Sequence, residues 1–193
     1  MCRLYEDKTS LDQGLSRRRF LSLGALTLLS GVVPSLCFAV TKNPKSREKY
    51  LSFYNPHTRE SLSTVYRVDG RYLPSSLDDI NYILRDHRSG EIKPINTRLL
   101  DLLYALKLRL RTKQSFHIIS GYRSPKTNAL LRAKNKGIAK NSFHILGKAA
   151  DIYVPGYPLR KMRRAAMTLR AGGVGYYPRS KFVHVDVGPV RFW

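Results

Sequence analysis

Leucines at positions 99, 103, 106 and 110 recur at intervals of four, three and four residues, which lines them up on one face of a helix. Asn96 or Thr97 can cap that helix. Lys107, Arg109, Arg111 and Lys113 crowd its end, where cations suit the helix dipole. Upstream the pattern changes to short β-prone runs at 50–54 and 62–68, broken by Asn55-Pro56 and Asp69-Gly70. Those breaks are turn signals, so the stretch predicts a hairpin or a small meander. Ser75 and Ser76 open a short helix with Leu77, Ile80, Ile83 and Leu84 as its apolar positions, and 86–94 reads as a polar loop. Beyond the leucine helix come a strand at 115–119, a short helix at 126–133 opened by Ser124-Pro125, and a strand at 148–154. A helix at 159–171 stops at Gly172-Gly173, and strands at 174–177 and 182–187 complete the set. Strands and helices without regular βαβ alternation predict an α+β fold, a small mainly antiparallel sheet with flanking helices.

The longest apolar run, 21–33, has a different meaning. It follows Ser16, Arg17, Arg18, Arg19 and Phe20 and leads to a small-residue site ending at Ala39. It is too short for a standard membrane span. A charged region, a short apolar region and a small-residue site make the layout of an export signal, and the paired arginines read as its twin-arginine version. An N-terminal core helix and a retained anchor are the competing readings. Cleavage after Ala39 would leave 154 residues: a linker at 40–49 and one domain at 50–193, long enough for a real core. Cys2 and Cys37 both lie in the removed part, so no disulfide is expected. The expectation is a periplasmic monomer with no stable membrane span after cleavage.

Charge narrows the partners. The chain is at +22, and residues 1–39 hold five Lys/Arg and three acids, so about +20 remains after cleavage. Such an excess favours a polyanion. Nucleic acid would come first in the cytoplasm, but no nucleic-acid motif is present and the export signal argues against it. An anionic cell-wall polymer or lipid headgroups fit better.

The candidate chemistry lies near the end of the sequence. His144, Asp151 and His184 supply two imidazoles and a carboxylate, a three-ligand set that leaves a fourth zinc position open, as in hydrolytic rather than structural sites. Singly, each has an ordinary reading: a surface histidine, a carboxylate paired with one of many cations, a buried histidine.

The surrounding residues form an ordered set. Ser120 to Ser124 reads Ser-Gly-Tyr-Arg-Ser; Asn128, then Ser142, Phe143 and His144, then Gly147 to Asp151, then His184 to Gly188 follow in turn. In this order the chain resembles the zinc D-Ala-D-Ala peptidases of bacterial cell walls, most closely their murein endopeptidase K-like branch, which pairs a twin-arginine signal with this motif set. The resemblance covers roughly the whole chain after the signal and is clearest over 115–193. It implies a small α+β zinc fold shared with hedgehog-type domains, with Zn²⁺ on His144, Asp151 and His184. The implied activity is hydrolysis of amide bonds in peptidoglycan peptide cross-links during wall remodelling.

Further residues take expectations from the same resemblance. Arg123 matches an arginine that stabilises the developing oxyanion or holds a substrate carboxylate. Ser142 matches a serine that binds substrate or orients the metal loop, with a turn-stabilising hydroxyl as the equal alternative. Asn128 is expected to hold the loop after Arg123. Many relatives place an acid or histidine two or three residues before the last ligand, where this chain has Phe182 and Lys181. Asp186, two residues beyond His184 and so on the same strand face, is either the general base or a carboxylate that orients the His184 ring. The departure at 181 and 182 also motivates a rival, a non-catalytic peptidoglycan-binding domain of the same fold. His57, His87 and His117 fall outside the motifs and read as structural. Tyr122, Tyr153, Tyr157, Tyr176 and Tyr177 either line a peptide groove or pack. The bond cleaved stays open among D-Ala to diaminopimelate, diaminopimelate to diaminopimelate, and terminal D-Ala-D-Ala.

Overall fold

The computed structural model describes residues 47–193; the expected export signal, both cysteines and most of the expected linker lie outside the described residues. Strand β1 (Glu48–Asn55) starts inside the stretch read as linker and pairs antiparallel with β2 (Glu60–Val68). Asn55 makes the turn between them, its Oδ1 accepting the His57 N–H at 3.0 Å. Asp69 and Gly70 both have positive φ (48° and 84°), the requirement of a tight two-residue hairpin turn, and lead into the short β3 (Arg71–Tyr72). Helix α1 (Pro74–Ile83) begins one residue earlier than the serine signal indicates, because Pro74 occupies the first turn, where a missing N–H costs nothing.

The leucine helix is α2 (Thr97–Leu110), capped by the Asn96 side chain, and Leu99, Leu103, Leu106 and Leu110 are all buried, with Leu100 and Leu102 beside them. Then follow β4 (Phe116–Ser120), α3 (Pro125–Lys134), β5 (Ala149–Tyr153), α4 (Leu159–Leu169), β6 (Gly173–Tyr177), β7 (Phe182–Asp186) and β8 (Arg191–Phe192). The eight strands form one sheet in the order β3-β2-β1-β4-β5-β7-β6-β8. Five neighbouring pairs are antiparallel, while β1–β4 and β6–β8 are parallel, so the α+β expectation holds with a mixed sheet. Both edge strands are two residues long, which limits edge-to-edge pairing.

One core cluster joins the leucine face of α2, Ile80 and Ile83 of α1, Met162 and Ala166 of α4, and one face of the sheet. Ala150, Ile152, Val183 and Val185 are fully buried in it. Residues alternate between faces along a strand. Asp151 and His184 therefore project from the opposite side of the sheet. No helix among the described residues is long and apolar enough to cross a membrane.

Candidate metal centre

Register brings two of the three expected ligands together: Asp151 on β5 is the direct cross-strand partner of His184 on β7. His144 comes from what the sequence reads as loop. Residues Phe143–Leu146 form a 3₁₀ turn, with the Ser142 hydroxyl accepting the His144 N–H at 3.3 Å and Gly147 in the left-handed region (φ 63°) closing it. A Cβ at Gly147 would come within 2.6 Å of the Pro94 carbonyl oxygen, so the turn needs glycine on two counts.

His144 Nε2, Asp151 Oδ1 and His184 Nδ1 converge. The separations are 3.2 Å between the two nitrogens, 3.3 Å from His144 Nε2 to the carboxylate and 2.8 Å from His184 Nδ1 to it. Donors on a tetrahedral ion with bonds of ~2.0–2.1 Å stand about 3.3 Å apart, which two of the three separations match, while the third is a hydrogen-bond distance that a bound ion would widen. All three residues are buried, and they are the group of His, Cys, Asp or Glu side chains among the described residues able to hold a metal ion.

Each imidazole is fixed from behind. His144 donates its Nδ1–H to the Gly121 carbonyl at 2.7 Å, which leaves the Nε2 lone pair facing the cluster. Gly121 itself passes so close to Leu84 that a Cβ would clash with the Leu84 carbonyl oxygen, so the position takes glycine. His184 donates Nε2–H to Asp186 Oδ2 at 3.1 Å. Burial alone pushes His184 down, but hydrogen bonds and charge from Asp151 and Asp186 outweigh it and carry the imidazole up to about 9. Asp151 is held well below the usual carboxylate range: burial opposes ionisation, and His144 and His184 overcome it. The cluster is thus a place where positive charge is strongly favoured, and a bound cation would take the role of that proton.

Asp186 stands behind His184. It is 0 % exposed and does not border the groove. Oδ1 accepts from Gly173 N (3.0 Å), Gly188 N (2.8 Å) and Arg191 Nη1 (3.2 Å), and Oδ2 accepts from His184 Nε2 and Arg191 Nη2 (2.7 Å). With both oxygens engaged behind His184, the carboxylate has no access to a substrate; of the two sequence readings, the geometry favours orientation of the ring.

Arg123 lies beside the cluster, nine-tenths buried, with Nη2 3.6 Å from Asp151 Oδ2 and 3.3 Å from the Ser120 hydroxyl. Its Nε has no hydrogen-bond partner. Burial lowers its affinity for the proton, partly offset by Asp151. Asn128 accepts from Arg123 Nη1 (3.4 Å) and donates to the Ala139 and Lys140 carbonyls, tying α3 to the loop 135–141. Sequence reasoning missed Asp86, which it left in a polar loop. That residue is 1 % exposed and accepts from Ser124 N (2.9 Å) and Arg88 N (3.0 Å). Burial raises it, but hydrogen bonds from Thr127, Ser124 and Arg88 bring it down to about 2. It anchors the start of α3 and hence the Arg123 backbone; no local pattern marks an acid that acts 38 residues away.

The cluster and Arg123 stand in a groove of about 850 Å³, walled by the loop 135–144 on one side and by Tyr177, Ser180, Phe182, Arg191 and Trp193 on the other. Its one acidic lining residue is Asp151. Trp193 packs 5.4 Å from the His184 ring, donates Nε1–H to the Tyr177 hydroxyl and lies where a Cβ at Gly175 would be. Of the five tyrosines considered, Tyr177 lines this groove, Tyr153 and Tyr157 border a separate cavity of about 450 Å³, Tyr122 belongs to the core and Tyr176 packs against it. Phe182 stacks on Tyr177, and Lys181 has positive φ (58°).

Comparison with known proteins agrees over nearly all of the chain. A family model described as peptidoglycan L,D-endopeptidase MepK matches residues 42–193. The protein of that name from Escherichia coli K12 is 44% identical over 179 residues, 92% of this chain and 97% of the relative, and the Shigella flexneri protein gives the same figures. A probable peptidoglycan L,D-endopeptidase MepK from Haemophilus influenzae is 40% identical over 179 residues, 92% of this chain and 95% of its own.

Proposed function

The chain belongs to the peptidoglycan L,D-endopeptidase MepK family, and from that membership we propose that it hydrolyses amide bonds joining an L to a D centre in peptidoglycan cross-links, as a zinc enzyme. The murein endopeptidase reading and the enzyme class follow from the family; the metal, the bond and the residue roles are our assignments. Of the three bonds left open by sequence, diaminopimelate to diaminopimelate fits an L,D name. The observation that carries the reading is the convergence of His144 Nε2, Asp151 Oδ1 and His184 Nδ1 beside a buried arginine with an unpaired N–H.

His144, Asp151 and His184 would hold the zinc. Bound there, it supplies a hydrolytic nucleophile at neutral pH and polarises the scissile carbonyl. Arg123, which lines the groove, offers its guanidinium charge and donors to an oxygen of the substrate, where a fixed donor acts on developing negative charge. Asp186, neutralised by Arg191, keeps the His184 ring in one orientation and tautomer. Ser142 shapes the turn that carries His144. Residues 1–39 would act as the twin-arginine signal that delivers the folded protein to the periplasm, where its substrate is.

Incubation of the purified protein with cross-linked peptidoglycan, with zinc or with a chelator, followed by mass analysis of the muropeptides, tests this. Dimers should fall and matching monomers rise, and chelation should stop it. Intact dimers despite confirmed zinc occupancy would favour the peptidoglycan-binding rival, which the acid-free positions 181 and 182 support.

A further inference from the structure

Charge is distributed very unevenly over the described residues. Positions 47–101 hold nine Lys/Arg and eight Asp/Glu, whereas 102–193 hold 19 Lys/Arg and two acids. Those two are Asp151 and Asp186, both buried at the cluster and neutralised there by His184, Arg123 and Arg191. Outside the groove, the surface formed by residues 102–193 therefore exposes cations and no carboxylate side chain.

Part of this excess is arranged around the groove. Lys134, Lys136 and Lys140 are exposed on or beside the loop whose Asn135, Gly137, Ala139 and Asn141 line one wall. Arg179 and Lys181 flank Ser180 of the other wall. None of the five makes an ion pair among the described residues. Cations that no acid among the described residues neutralises, next in sequence to lining residues of both walls, produce a field focused on whatever enters. Stem peptides of peptidoglycan carry repeated free carboxylates along an insoluble polymer, the complementary chemistry.

We infer that these residues form a cationic collar that captures the carboxylate-bearing peptides of the wall polymer before a bond is seated at the cluster. The inference rests on the proposed peptidoglycan reading of the groove. Capture is long-range and screened, because the Debye length is only ~8 Å at physiological salt; seating at the buried cluster is short-range and much less so. The position of the charge is what matters, not its total.

The test compares two triple charge reversals in the zinc-loaded protein. Lys134→Glu/Lys136→Glu/Lys140→Glu alters the collar. Arg160→Glu/Lys161→Glu/Arg164→Glu makes the same change of charge on exposed positions of α4, which packs on the other face of the sheet. Pelleting with purified sacculi and KM for them are measured at ionic strengths from about 0.05 to about 0.5 M, with thermal melting as the folding control. The collar variant should lose about tenfold in pelleting and gain about tenfold in KM at low salt, a steering-sized effect. Its hydrolysis of soluble cross-linked dimers should suffer far less. The α4 variant should stay within about twofold of the parent. Equal losses in both variants would reduce the effect to net charge and overturn the collar, as would no loss in the collar variant. Stronger retention on anionic lipid vesicles than on sacculi, lost in the α4 variant, would replace the wall polymer by a membrane. Failure of the parent to cleave any cross-linked peptide would instead strike the proposed activity, and pelleting would still report on the collar.

Discussion

Two histidine pairs in this molecule lie almost equally close and have opposite electrostatics. The rings of His144 and His184 are 5.0 Å apart, edge to face; those of His57 and His87 are 3.9 Å apart and stacked, 6° from parallel. The first pair is bracketed by Asp151 and Asp186, and His184 is pushed up to about 9 although burial pulls it down. Burial, helped by Arg88 and His57, pushes His87 down to about 4, with Asp86 opposing only in part. His57 has the Ile119 carbonyl as its polar contact, at 3.2 Å. Adjacent imidazoles alone therefore do not make a cation site. The carboxylate that completes the candidate ligand set, and the acceptors that turn each ring so a lone pair faces inward, separate a cluster able to hold a metal from a packing contact.

The largest effect expected is the break between the pairs. His184→Ala should leave no stoichiometric zinc and reduce cleavage of cross-links at least about 10³-fold, because the hydrolytic nucleophile depends on the metal. His57→Gln and His87→Gln should stay within a few-fold in both metal content and rate. Equal damage from either class would erase the distinction. Next comes Arg123→Lys, which keeps a charge but removes the planar fork of donors beside the groove. It should lower kcat about 10²-fold, the size found for one missing oxyanion donor, with zinc content unchanged. Loss of zinc together with rate would mean that Arg123 serves the cluster instead of the substrate. Asp186→Asn should weaken zinc affinity ~10–100-fold, the usual cost of losing a partner that orients a ligating histidine. Saturating zinc should then recover most of kcat. A kcat that stays low at full occupancy would restore the general-base reading of Asp186.

The legibility of these features in the sequence follows from how local they are. The leucine helix, the Asn96 and Ser124 caps and the Asp69-Gly70 turn depend on neighbours a few residues away, and each appears where the pattern predicts it. His144, Asp151 and His184 were identifiable through ordered motifs, while their cross-strand register and 3₁₀ turn emerge only in three dimensions. Asp186 could be placed next to His184 but not behind it, since the deciding contacts come from Gly173, Gly188 and Arg191. Asp86 was invisible because its partner Ser124 lies in another segment, and β8 because two residues carry no period. The parallel pairing of β1 with β4 was likewise beyond reach, since nothing local selects a partner more than 60 residues distant.

The smallest effect concerns stability, and it comes from the pair without carboxylates. His87 is kept neutral in the fold down to about pH 4, whereas in the unfolded chain its pKa should be near the ordinary value of ~6.5. Between those values the unfolded state binds more protons than the folded state, so stability falls as pH falls through that window and levels off below it. Burial is the largest cause of that sign; of the charged and titratable groups facing the imidazole, Arg88, His57 and Arg123 add to it and Asp86 opposes it. A His87→Gln variant removes the titration while keeping a polar side chain of similar reach. Urea midpoints measured from about pH 8 to about pH 4 should therefore fall less steeply for the variant than for the parent, with the two closest in slope at the alkaline end, above the window. Parallel curves across the window would show that the stacked pair takes up its proton freely, and the contrast between the pairs would then rest on the carboxylates of the metal centre alone.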